Sequence, residues 1–81
     1  MPTSEPNTVN VELDATGLSC PLPVLKTRNA VKQMDSGEML RVRASDHGSL
    51  KDIESFCNQT GNDLVSSKLE AGTYEFLIRK R

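Results

Sequence analysis

The sequence predicts a two-layer α/β (α+β) sandwich: a mixed four-stranded sheet with two helices on one face, in the order β-α-β-α-β-β. Three observations predict it. Four short segments alternate apolar and polar residues, the period of a strand with one buried face. Two segments with helical spacing separate the first three of these, each bounded by glycine or proline. The last two strands are separated only by Ala71-Gly72, the length of a tight hairpin turn.

The first strand is Val9 to Asp14, where Val9, Val11 and Leu13 alternate with Asn10, Glu12 and Asp14. The residues before it, 1–8, are polar and carry Pro2 and Pro6, so a disordered tail is expected there and a single domain over 9–81. A loop, Asp14 to Ser19, leads to a helix expected from Pro21 to Met34. Val24, Thr27, Ala30, Val31 and Met34 share one side of it, although Leu25 and Arg28 blur the pattern. Asp35-Ser36-Gly37 ends it.

Met39 to Ala44 alternates again, with Leu40, Val42 and Ala44 on one side and Arg41 and Arg43 on the other. After the loop Ser45-Asp46-His47-Gly48, Ser49 fits an N-cap and Asp52 the third position of a capping box. Leu50, Ile53, Phe56, Cys57 and Thr60 form the apolar face of this second helix, and Gly61 its C-terminal cap. Strands near Asp63–Glu70 and Thr73–Lys80 complete the chain. A right-handed crossover makes the first two strands parallel. The loops after them then leave the same sheet edge, which brings Cys20 near Asp46-His47-Gly48-Ser49.

Composition narrows the function. With 81 residues the chain has little room for an internal cavity. Ten Lys and Arg against 11 Asp and Glu give no electrostatic reason for a nucleic-acid or membrane partner. Two Phe, one Tyr and no Trp make a poor stacking surface for single strands. The N-terminal residues show no secretion signal and no run is long enough to span a membrane, so a cytoplasmic location and two reduced thiols are expected. No spacing of Cys and His suits zinc, and no phosphate loop or carboxylate pair is visible. No cofactor is expected.

The chemistry concentrates at Cys20-Pro21-Leu22-Pro23. The run places a thiol at the first turn of a helix, where free N–H groups and the dipole favour an anion, so easier ionisation is expected. Pro21 and Pro23 suit that turn because they lack N–H groups, and they aim the thiol. Cys57 shares the apolar face of the second helix and reads as a core residue. His47 is near enough in the loop to tune the thiol or simply to face solvent. Asp46 is a turn former or a partner contact, and Asp52 a capping residue. Lys26 and Arg28 either dock a partner or form a solvated helix face. Arg41, Arg43 and Arg79 make either a modest basic patch on the wet sheet face or, as such faces usually are, a merely solvated one.

The stretch Leu13-Asp14-Ala15-Thr16-Gly17-Leu18-Ser19-Cys20-Pro21-Leu22-Pro23 resembles the signature of the TusA (SirA-like) sulfur-carrier family. The likeness continues through Gly37-Glu38, Asp46, Asp52-Ile53 and Gly61-Asn62. It implies the same β-α-β-α-β-β fold. It also implies a sulfur carrier that holds sulfane sulfur as a persulfide on Cys20, with Asp14, Gly17, Pro21 and Pro23 supporting the motif. The implied donors are a cysteine desulfurase or a rhodanese-type protein. The implied acceptors serve tRNA 2-thiolation, molybdenum-cofactor enzymes or sulfur oxidation. A persulfide relay by a monomer with transient contacts is expected rather than a stand-alone enzyme, because the chain offers a nucleophile without a clear base or oxyanion site. Two other readings stand beside it: a small RNA-binding α/β module, and a thiol-redox regulator that pairs Cys20 with Cys57.

Overall fold

The structure is a computed structural model that describes residues 9–81; the tail expected at 1–8 lies outside them. The elements are β1 (Val11–Ala15), α1 (Leu22–Lys32), β2 (Met39–Ala44), α2 (Ser49–Thr60), β3 (Asp63–Glu70) and β4 (Thr73–Arg79). They form one mixed sheet of order β1-β2-β4-β3. β1 and β2 are parallel, while β4 runs antiparallel to both β2 and β3.

Each boundary has a local cause. β1 begins two residues later than expected and includes Ala15, which is fully buried opposite Ala44. The small side chains at this pair lie where the chain leaves the sheet toward the motif loop. α1 ends at Lys32 rather than Met34, because Gln33 and Met34 make tighter three-residue bonds to Ala30 and Val31. Gly61 closes α2 in the left-handed region at φ 79°. In the β3–β4 turn both Ala71 (φ 51°) and Gly72 (φ 81°) have positive φ, as a two-residue hairpin turn requires.

The core lies between the sheet and the helices. Leu40, Val42, Phe76, Ile78 and Ile53 are fully buried, with Thr27 and Val31 facing them from α1. Thr27 satisfies its hydroxyl by donating to Pro23 O of its own helix at 2.8 Å. On the opposite sheet face Arg41, Arg43 and Lys68 converge on Glu75, and Arg41 also pairs with Glu12 and Arg79 with Asp63. The basic patch expected from Arg41, Arg43 and Arg79 is therefore neutralised by cross-strand carboxylates, which strand spacing brings opposite the cations. Burial pushes the Glu75 carboxyl up, but the hydrogen bond and charge of Lys68, with Arg41 and Arg43, outweigh it and hold the group below the usual range.

Candidate functional site

The loops after β1 and β2 meet at one edge of the sheet, as the parallel pairing dictates. Asp14 turns the first loop: its Oδ1 accepts from the Thr16 N–H at 3.0 Å and from the Thr16 hydroxyl at 2.6 Å. The hydrogen bonds from the Thr16 side chain and backbone keep the Asp14 carboxyl below its ordinary value. Gly17, at φ 81°, then exposes its N–H to the second loop and donates to Ser45 Oγ at 2.8 Å. A side chain at that φ would be strained, so the glycine lets the two loops join.

The second loop is held by Asp46, whose Oδ2 accepts from the Gly48 N–H at 3.0 Å. Asp46 thus forms the turn, one of the two roles expected of it. Gly48, not Ser49, takes the N-cap position of α2. Ser49 is the first helical residue, buried to 1% exposure, and its Oγ has no partner. The capping box expected from Ser49 and Asp52 therefore does not form.

Asp52 is free to do something else. Its Oδ2 accepts a hydrogen bond from the Cys20 Sγ–H at 2.6 Å. Gly48 brings the loop close as well, since a Cβ there would lie 3.6 Å from Cys20 Cβ and 3.9 Å from Sγ. Cys20 itself is exposed. It opens onto a groove of about 280 Å³ between the two helices, whose walls include Pro21, Val24, Leu25, Arg28, Asp52 and Phe56.

This geometry corrects the expected ionisation of Cys20. The hydrogen bond to Asp52, partial loss of solvent and the charges of Asp52 and Asp46 push the thiol above its ordinary value. The helix end that should have opposed them is poor in donors. Pro21, at the N-cap, and Pro23 have no N–H, and the Leu22 N–H is already bonded to Ser19 O at 2.8 Å. The prolines that suit the first turn thus also remove two of the N–H groups it would have offered.

The other candidates fall into place. Pro23 is buried and anchors the start of α1, whereas Pro21 is exposed beside the thiol. His47 and Tyr74 stand with their rings perpendicular, at 6.4 Å between centroids. Lys26 is exposed on α1 near Asp14, and Arg28 lines the Cys20 groove. Cys57 is 4% exposed in the core, and burial, with the charge of Asp63, pushes its thiol up to about 11. Among the described residues no cluster of His, Cys, Asp or Glu could hold a metal ion, and no helix is long and apolar enough to cross a membrane.

Asp52 therefore belongs to the thiol site and not to the helix cap expected from the sequence. The signal was present: the start of the second helix was expected at the same sheet edge as Cys20, and its acidic first-turn residue lies on that side.

One family model and three known proteins resemble the chain. A protein-family model described as sulfurtransferase TusA matches residues 11–80. The chain is 52% identical over 69 residues to a sulfur carrier protein TusA of Allochromatium vinosum, covering 85% of this chain and 91% of that protein. It is 44% identical over 75 residues to a sulfur carrier protein TusA of Pseudomonas aeruginosa, covering 93% and 95%. The crystal structure of a SirA-like protein from Desulfitobacterium hafniense superposes with a TM-score of 0.77 at 21% identity, over 86% of this chain and 96% of that one. That last likeness concerns the fold, which is the β-α-β-α-β-β sandwich expected.

Proposed function

The chain belongs to the sulfurtransferase TusA family, and from that premise we propose that it is a sulfur carrier whose cargo rides as a persulfide on Cys20. The observation that carries the reading is the position of this thiol: exposed, at a loop edge, facing an open groove. A relay protein must offer its sulfur to the cysteine of one partner and then of another, so an enclosed site would defeat it.

Loading is an exchange at sulfur. The Cys20 thiolate attacks the terminal sulfur of a donor persulfide. A bond forms between Sγ and that sulfur as the donor's sulfur–sulfur bond breaks, and the donor cysteine leaves as a thiolate. Delivery repeats the step with Cys20 as the leaving group. The donor in this reading is a cysteine desulfurase or a rhodanese-type protein. The acceptor belongs to tRNA 2-thiolation, molybdenum-cofactor chemistry or sulfur oxidation. Arg28, in the groove wall, and Lys26, exposed on α1 toward Asp14, are the partner contacts, with Asp46 and His47 in the loop after β2. The protein works as a monomer in the cytoplasm.

The two competing readings lose support. A redox pair with Cys20 needs an accessible Cys57, which is buried with its thiol raised to about 11. An RNA-binding sheet face needs free cations, whereas Arg41, Arg43 and Arg79 are all paired with carboxylates.

The test is to incubate the protein with a cysteine desulfurase and cysteine, then read intact mass without reductant. Wild type and Cys57→Ser gain one sulfur atom, and Cys20→Ser gains none. No gain in wild type from a desulfurase or from a loaded rhodanese would overturn the reading.

A further inference from the structure

Cys20 lies in the loop before α1 and Asp52 in the first turn of α2, 32 positions apart, yet the carboxylate meets the thiol directly. We propose that Asp52 is a positioning residue that latches the unloaded Cys20 as a hydrogen-bonded thiol, so that the free carrier is a weak nucleophile until that carboxylate is neutralised. The proposal rests on the carrier reading above and adds a means of regulating the same sulfur.

The first argument is geometric. At 2.6 Å between Sγ and Oδ2 the contact is a hydrogen bond only while a proton lies between the atoms. Removing that proton leaves two anions side by side, which favours the thiol over the thiolate. The second concerns what surrounds the sulfur. From the loop before α2, the Asp46 carboxylate adds a further negative charge. From α1, Pro21 and Pro23 supply no N–H and the Leu22 N–H is engaged by Ser19 O. The one cation in the groove wall, Arg28, is on α1, and among the described residues no ion pair ties it to Asp52 or Asp46.

The arrangement suits a carrier that spends much of its time unloaded. Exposed thiolates are the sites where oxidation starts, and a latched thiol is spared. A donor that presents a cation to the groove neutralises Asp52 and frees the sulfur where its persulfide is waiting. Unloaded carrier then reacts with its donor in preference to small oxidants.

Alkylation of the native protein by iodoacetamide, followed by intact mass across a range of pH, tests the latch without any partner protein. Wild type should show a midpoint above that of cysteine in an unstructured peptide. In Asp52→Asn the midpoint should fall and the rate near neutral pH should rise by about threefold or more. A tenfold gain in thiolate gives only about threefold in rate, because nucleophilicity declines with thiol basicity. Glu54→Gln removes a charge from an exposed position of the same helix and should change neither quantity. The proposal is overturned by a wild-type midpoint at or below the peptide's, by an unchanged or slower Asp52→Asn, or by an equal shift in Glu54→Gln. If Asp52→Asn does not fold, the wild-type comparison with the peptide decides alone. Sulfur loading of wild type reports on the carrier reading separately, so the two can fail independently.

Discussion

Cys57 offers a quantitative check on which thiol does chemistry. Its thiol is raised from 9.0 to about 11, first because burial disfavours the thiolate and then because of the charge of Asp63. Unfolding exposes the thiol and returns it to its ordinary value. A group with a raised folded value binds its proton more tightly in the native state. Its contribution to stability is complete below 9 and is lost as pH rises from 9 toward 11. One unit above the unfolded value, near pH 10, the loss amounts to about 1.4 kcal/mol. Against a total of roughly 4–12 kcal/mol for a chain of this length, that is easily measured. Other ionisable groups contribute equally to the pH dependence of both proteins, so the informative quantity is a double difference. Urea unfolding of wild type and Cys57→Ala, both under reductant, is compared at about pH 8 and about pH 10. The alanine variant carries a constant offset from the lost sulfur, but its stability falls less with pH. With a slope near 1 kcal/mol per molar urea, the wild-type midpoint should drop by about 1 M more than the variant's. Equal pH dependence in the two proteins would refute the reasoning. It would mean that Cys57 ionises freely when folded and is available as a second relay thiol.

Two further substitutions probe the site and the turn that closes the sheet. In Gly48→Ala the new Cβ would lie 3.1 Å from Asp46 Oδ2 and 3.6 Å from Cys20 Cβ, so the loop must shift by a few tenths of an ångström. We expect a change of stability under about 1 kcal/mol but sulfur loading slowed by up to about tenfold, read by the rate of mass gain. Ala71 occupies a position with φ 51°, where an L side chain with no local hydrogen bond is strained. Ala71→Asn creates the Asn-Gly pair this turn favours and should stabilise by about 0.5–1 kcal/mol, raising Tm by several degrees in a thermal melt.

Much of the fold could be read from residues alone because its determinants are local. The alternation of Leu40, Val42 and Ala44 with Arg41 and Arg43 requires a strand with one dry face, and the structure buries the first set. The spacing of Ile53 and Cys57 on α2, and Gly61 as its cap, likewise depend only on helical period and on backbone freedom at one glycine. Leucine and proline around Cys20 mark a helix start whatever lies nearby. The exposed thiol at a sheet edge follows from these elements and the parallel crossover.

What required the tertiary structure was every property that depends on a neighbour distant in sequence. Which strand fills the gap between β2 and β3 was open until β4 was seen to lie there. The charge balance of the wet face is one such property, because Glu75 meets Arg41, Arg43 and Lys68 only once three strands are aligned. The ionisation of Cys20 is another. Local sequence supplies a helix terminus, which favours an anion. Folding adds Asp52 from the second helix and commits the Leu22 N–H elsewhere, and at hydrogen-bond range the carboxylate outweighs a terminus poor in donors. Periodicity and turn chemistry are encoded within a few residues, whereas electrostatic environment is a sum over everything nearby in space, and only the folded chain decides what is near.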